Sequence, residues 1–403
     1  MSTYVFKAMD VAGLPAKGEV DADSKQAVAD QLRARGLIVL DIADKHSSKE
    51  INLEFFQRIK SEELTIMTRQ LATMVSSGMS ILRALYVLES QTENKKLVNT
   101  LVEVRKDVEA GLPLSDAMER HPKVFSRLFV AMTRAGETGG LLENSLMRVA
   151  DQLEKEDALR RQIKSAMVYP GVVTTFALLV LFALVTFLVP VFAGIFKQFG
   201  GDLPTITKFT VGMSHAVTHQ WYLLIAATVG LVIGFKKWKK TARGREQWDR
   251  FKLKVPWKIG DIVQKVCLAR FSRTYSALIS AGVPMLQAIE ITGRTSGNKV
   301  IENAMDQVRD SVKAGGSIST PMRAVPEAFP TMVTQMIGVG EETGALEQML
   351  SKVADFYEDE VAASLKALTS ILEPLMIIVV GAIVGFIVIS MYMPMFKVYD
   401  QIR

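Results

Sequence analysis

The chain has 403 residues, 48 Lys and Arg against 42 Asp and Glu for a net charge of +6, and a single cysteine, Cys267. One thiol excludes a disulfide framework, and the length leaves room for two or three domains. The apolar residues gather into long uncharged runs, which excludes an ordinary soluble globular chain and points to a membrane protein.

Met1 to Asp10 carries Lys7 and Asp10 and no apolar run, so no cleavable signal peptide is expected. Tyr4, Phe6 and Ala8 alternate with Val5, Lys7 and Met9, and Val11 to Gly13 turns the chain before Gly18, which is hairpin spacing. Asp23 and Ser24 can cap a short helix running to Gly36, and Leu37 to Ile42 reads as a strand. Residues 1–50 are therefore expected to form a small α/β module and a polar linker.

From Ser61 the pattern turns helical. Leu64, Met67, Leu71, Met74 and Val75 lie on one helix face until Gly78, Ile81, Leu85 and Leu88 form the next face, and Leu97 to Val108 the one after. Short helices are expected at Ser115–Glu119 and Ser126–Ala135, and a long one from Leu141 towards Pro170. Short loops between short helices predict an antiparallel bundle over residues 61–168. Val172 to Phe192 then runs 21 residues without a charge, roughly 31 Å of helix and one hydrocarbon thickness.

The chain repeats this unit 204 residues later without a gap. Arg69, Gly78, Leu82 and Ala84 fall on Arg273, Gly282, Leu286 and Ala288; Gly136 and Glu137 fall on Gly340 and Glu341; Pro170, Pro190 and Phe192 fall on Pro374, Pro394 and Phe396. The expected order is a bundle at 61–168, a transmembrane helix at 169–193, another at 217–237, a second bundle at 265–371 and a last transmembrane helix at 373–396. The middle span, Trp221 to Phe235, is short and borrows from its flanks. Lys236, Lys237, Lys239, Lys240, Arg243 and Arg245 follow it, and Arg160, Arg161 and Lys164 precede the first span, whereas Gly194 to His219 reads as a sparsely charged extracytoplasmic loop. The positive flanks mark the cytoplasmic side, so the N-terminus and both bundles are expected there and the C-terminus outside.

The Gly-Glu turns at Gly136–Gly140 and Gly340–Gly344 are the foremost candidate site. A phosphate loop is a poor reading, because Glu341 and Glu342 would repel the anion. Structurally, Gly140 or Gly344 opens a helix and Glu143 or Glu347 reaches back to its free amides. Glu137, Glu143, Glu341 and Glu347 are also candidates for a divalent-ion or partner contact, although no metal site is assigned. His215 and His219 stand one helical turn apart without further ligands, which reads as an interfacial pair. Glu373 beside Pro374 sits at a membrane edge, and Pro170 and Pro374 are expected where each helix bends into the bilayer. Gly230 and Gly234, like Gly381 and Gly385, have the spacing of close helix contacts. No nucleophile elbow, zinc helix or Walker loop is present, so no enzyme activity, cofactor or nucleic-acid binding is expected.

The sequence resembles the inner-membrane platform proteins of type IV pili and type II secretion, the PilC and GspF family. The resemblance rests on the Tyr-x-Phe start with Gly13 and Gly18, Gly78 and Gly282, the Gly-Glu turns, Tyr169-Pro170 and Glu373-Pro374, and Pro394-Met395-Phe396. It implies six-helix cytosolic bundles in a mainly α, multi-pass protein without catalytic activity. It further implies contact with a hexameric secretion or pilus ATPase, with pilins or pseudopilins, with other inner-membrane assembly proteins and with further copies of itself. A secondary transporter also carries repeats, and an enzyme with membrane anchors is a third reading; the uncharged spans and the missing nucleophile and base speak against them.

Overall fold

The computed structural model describes residues 2–9, 15–22, 25–34, 36–44, 58–198, 205–256 and 259–401. The turn expected at Val11–Gly13, the cap at Asp23 and Ser24, and the linker at 45–50 lie outside these residues.

The N-terminal unit is a three-stranded antiparallel sheet with one helix. Strands β1 (Ser2–Met9), β2 (Pro15–Ala22) and β3 (Ile38–Asp44) lie in the order β2-β1-β3, and α1 (Lys25–Ala34) connects β2 to β3. Alternation along β1 puts Tyr4, Phe6 and Ala8 on one face, where they close over Val28 and Leu32 of α1. The pairing of Phe6 with Gly18 needs the missing side chain, since a Cβ on Gly18 would stand 2.9 Å from the Phe6 ring.

The first repeat comprises α2 (Ser61–Ser76), α3 (Ile81–Gln91), α4 (Lys95–Glu109), α5 (Leu114–Glu119), α6 (Arg127–Thr138) and α7, which starts at Leu142. The second comprises α12 (Ile259–Ser280), α13 (Met285–Thr295), α14 (Lys299–Lys313), α15 (Ser319–Arg323), α16 (Thr331–Thr343) and α17 (Leu346–Gln401). Each bundle closes with its long helix packed on the first and fifth helices of its own repeat. Gly78 and Gly282 end α2 and α12 with φ of +84° and +79°. There Met79 and Val283 each donate back five residues, to the carbonyls of Met74 and Leu278, at 3.0 Å. Only glycine adopts that left-handed turn without strain.

The two cores are filled by different side chains on one backbone plan. Phe125 and Phe329 are equivalent and buried, each edge-on to a second ring at 5.2 or 5.3 Å, but the partner is Phe129 of α6 in one copy and Phe271 of α12 in the other. Val333 stands where Phe129 does, and Met67 where Phe271 does, so volume is moved across the core rather than lost.

The long helices run on across the bundle–span boundary. Helix α7 runs unbroken over Leu142–Ala183, through Pro170, into a π-helical turn at Leu184–Leu188 and on as α8 (Val189–Gln198). Helix α17 passes Pro374 in the same way. Both helices are thus continuous across the bundle–span bounds at 168/169 and 371/373, and the Thr174 hydroxyl donates to the Pro170 carbonyl at 2.7 Å. Among the described residues, three helices are long and apolar enough to cross a membrane: Leu142–Ile195, Trp221–Lys240 and Leu346–Met393.

The region read as a loop from Gly194 to His219 is largely helical. It holds the end of α8 and helix α9 (Thr205–His219), which breaks at Gln220 before α10 (Trp221–Lys240). Helix α10 overlaps the span expected at 217–237, and all its side chains are exposed in this chain. Helix α11 (Ala242–Lys254) then leads into the second bundle.

Cys267 is buried in α12, and burial pushes its thiol up to about 11. Since only the thiolate attacks maleimide at an appreciable rate, the folded chain is expected to resist labelling at neutral pH and to label fully once unfolded. Fast labelling of the native protein would show that this core is open.

Candidate functional site

The features that stand out chemically come in pairs 204 residues apart. Helix α6 ends in Gly136, Glu137 and Thr138, and α16 in Gly340, Glu341, Glu342 and Thr343, so the expected turns are final helical turns. Gly140 and Gly344, with φ of +68° and +73°, terminate these helices rather than opening the next ones. Helix α7 begins at Leu142 without a side-chain cap, so Glu143 does not play the capping part expected of it. No reach-back by Glu347 at the start of α17 is seen either.

The capping group is Glu137 itself, and it serves another helix. Its carboxylate accepts the backbone amides of Leu114 and Ser115, the latter at 3.1 Å, and the Ser115 hydroxyl. In the second repeat Glu341 accepts the amides of Ile318 and Ser319, the latter at 3.0 Å. A short helix presents unpaired amides and a positive pole, and a carboxylate there satisfies both. These oxygens are therefore committed, and no group of three potential metal ligands forms among the described residues, Glu143 and Glu347 included.

The preceding glycines serve packing. A Cβ on Gly136 would collide with Ser145 and stand 3.1 Å from the Leu142 Cα, and one on Gly340 would stand 2.9 Å from the Leu346 Cα. The Gly-Glu pair thus lets the fifth helix lie on the long helix while its neighbour caps the fourth. Glu341→Gln keeps an acceptor but loses the charge, and is expected to cost about 1 kcal/mol. Hydrogen exchange at Ile318 and Ser319 should rise with the global fold intact; unchanged protection would refute the capping role.

A second pair clamps the first helix of each bundle to the long one. Arg69 donates to both oxygens of Glu154 at 2.6 and 2.7 Å and to Asp151. Arg273 donates to both oxygens of Glu358 at 2.8 Å and to Asp355. The hydrogen bond from Arg69 holds Glu154 below the usual carboxylate range. For Asp355, burial opposes ionisation, but the hydrogen bond and charge of Arg273 prevail and hold it low as well. The next turn has diverged. Asp157 is buried and accepts the hydroxyls of Ser61, at 2.6 Å, and Thr65, whereas its counterpart is Val361, and Lys265 replaces Ser61 to pair with Asp261 and Glu360.

At the membrane edge the copies meet through equivalent positions. Tyr169 donates to Glu373, its own counterpart, at 3.4 Å. Pro170 is buried and Pro374 exposed, and a Cβ at Gly381 or Gly385 would meet nothing within 4 Å, so neither glycine mediates a contact inside this chain. Gly230 and Gly234 on α10 are equally open. Pro394 lies in the last stretch of α17.

Sequence reading missed α9. Thr207 donates to the Ser390 carbonyl at 2.6 Å, Thr210 shares a hydrogen bond with the Ser390 hydroxyl at 2.8 Å, and Ser214 donates to the Val185 carbonyl at 2.7 Å, inside the π-helical turn. Small hydroxyls at 207, 210 and 214 form one helix face, and that spacing was the available signal. His215 and His219 stack at 4.5 Å without a further ligand.

These elements define a class: a membrane protein of two like helical bundles, each continuous with an apolar helix. The family described as Type II secretion system (T2SS), protein F matches at residues 67–190 and again at 271–394, and the N-terminal domain of the same family matches at 1–43. The chain is 42% identical over 401 residues to the type IV pilus assembly protein PilC of Thermus thermophilus, covering 99% of this chain and 98% of that protein. It is 37% identical to the protein of that name in Myxococcus xanthus, over 99% and 96% of the two chains. It is 31% identical to the type II secretion system protein F of Pseudomonas aeruginosa, over 98% of each. The chain belongs to the type II secretion system protein F family, whose relatives serve pilus assembly and type II secretion.

Proposed function

We propose that this chain is a non-catalytic platform in the bacterial inner membrane for assembly of a type IV pilus. It couples a cytosolic hexameric ATPase to the insertion or extraction of pilin subunits. The N-terminus and both bundles lie in the cytosol and the C-terminus outside, in keeping with the basic residues after α10 and before the first span. The observation that carries the reading is that α7 and α17 each pass from a bundle core into an apolar span as one unbroken helix. Movement imposed on a bundle is thereby delivered to the membrane, which is what a force-passing part requires. The named pilus-assembly relatives at 42% and 37% identity favour a pilus over a secretion pseudopilus, for which the relative cited stands at 31%.

Deletion in the native host tests this. Loss of surface filaments and twitching with normal enzyme export supports the pilus role, and the converse assigns the chain to secretion. Failure to recover the chain with its ATPase in any nucleotide state would remove the coupling role. Maleimide labelling of cysteines placed near 137 and 341 must find both on one side of the membrane.

A further inference from the structure

The two bundles touch through unlike faces. Helices α6 and α7 of the first lie against α12 and α13 of the second. Arg127 of α6 stands 3.8 Å from Glu290 of α13, and Arg270 of α12 stands 3.8 Å from Glu156 of α7. A cleft of about 390 Å³ lies along the seam, between residues such as Val130 and Ala131 on one side and Gln287 and Ile291 on the other. Because the repeats share one plan, each bundle also carries the face that its sister uses. Among the described residues, no helix of the second bundle packs on the α2/α3 face of the first and none of the first packs on α16 of the second, while α17 meets α7.

Burial at equivalent positions traces those faces. Gln152 of α7 is only 4% exposed, while its counterpart Phe356 is 48% exposed. Ala131 is buried in the seam and its counterpart Gln335 is exposed. On the other side, Glu290 and Arg270 correspond to Tyr86 and Ile66, which are 65% and 52% exposed. The uncovered faces carry exposed apolar side chains: Ile66 and Tyr86 on the first bundle stand where the covered face has the charged Arg270 and Glu290, with Leu82 beside them, and on the second bundle Phe356 stands where the covered face has Gln152, with Val339 beside it. Exposed apolar clusters of this kind mark interaction surfaces.

We infer that the α2/α3 face of one copy of this chain docks on the α16/α17 face of another, repeating between molecules the joint that the repeats make within one. The occupant is a second copy because the chain already contains the mating surface for each face, built on the same backbone. The internal ion pairs give the register. Arg127 with Glu290 becomes Thr331 of one copy with Tyr86 of the next, and Arg270 with Glu156 becomes Ile66 with Glu360. Such a joint is head-to-tail, so it either closes into a ring or runs on. The membrane helices rooted in the same bundles keep the copies in one plane. The inference is independent of what the assembly builds.

The test uses full-length chains co-expressed in membranes under two tags, one carrying Tyr86→Cys and the other Thr331→Cys, with a short bismaleimide; Cys267 stays silent for the reason given above. A cross-linked pair carrying both tags is expected, and neither variant alone should cross-link to itself. Self-cross-linking of Tyr86→Cys as strong as the mixed product would mean a two-fold joint and overturn the inference, as would a monomeric wild-type chain. Tyr86→Ala, a surface change that spares the core, is expected to weaken association on the order of thirty-fold by native mass spectrometry. If Tyr86→Ala leaves association unchanged but abolishes recovery of a cytosolic partner, the face belongs to that partner and the inference falls.

Discussion

Arg273→Ala is expected to destabilise the folded chain by about 2 kcal/mol, and Arg69→Ala by about 1 kcal/mol, although the two arginines make the same contacts. The difference follows from solvent. The Arg273 side chain is 10% exposed and that of Arg69 29%, so the first leaves Asp355 and Glu358 facing a drier space. Lysine should rescue neither fully, because an ammonium cannot grip both oxygens of a carboxylate as a guanidinium does. Thermal unfolding of the full chain in detergent measures the ranking; equal losses would refute the burial argument. The same clamps set an acid limit. Glu154 and Asp355 are held below the usual carboxylate range when folded, so their contribution is present above the unfolded value and disappears as pH falls through the lower folded one. Melting temperature should be flat from about pH 7 to 5 and drop below about pH 4, with a shallower drop in both alanine variants.

Gly340→Val is expected to cost about 3 kcal/mol, since its side chain must enter the contact between α16 and the first turn of α17. The obstacle is backbone, the Leu346 Cα at 2.9 Å from an added Cβ, with Met349 at 3.3 Å behind it, so relaxation requires the helices to part. Gly381→Ala is the matched control. It lies on α17, the helix that Gly340 packs against, with open space around it, and is expected to be neutral or to gain up to about 1 kcal/mol from helix propensity. A comparable loss at both positions would show that the Gly340 effect is not the close approach.

Much of this was legible before any coordinates. The 204-residue offset, the stops at Gly78 and Gly282 and the run of short helices each have a local cause, because a positive φ or an apolar period is written in neighbouring residues. The Gly-Glu pair was found but misread as a turn. Its meaning lies in what it meets, Leu114 and Ser115 from 23 and 22 residues before Glu137, and no sequence period announces a cap given to another helix. Prolines at 170 and 374 suggested bends; both stand inside a continuous helix, because one missing N–H does not end a helix whose neighbouring hydrogen bonds remain. Helix α9 escaped because low charge was taken for a loop, whereas its hydroxyls are turned to the backbone of Val185 and Ser390.

Helix α7 stays helical where it leaves its bundle, which gives it the form of a lever. Over a hydrocarbon thickness of about 30 Å, a tilt of about ten degrees at the base sweeps the outer end sideways by ~5 Å, close to the pitch of one helical turn. If the bundle acts as the proposed platform, small rocking of it would reach the other end of the apolar helix as a stroke of that size.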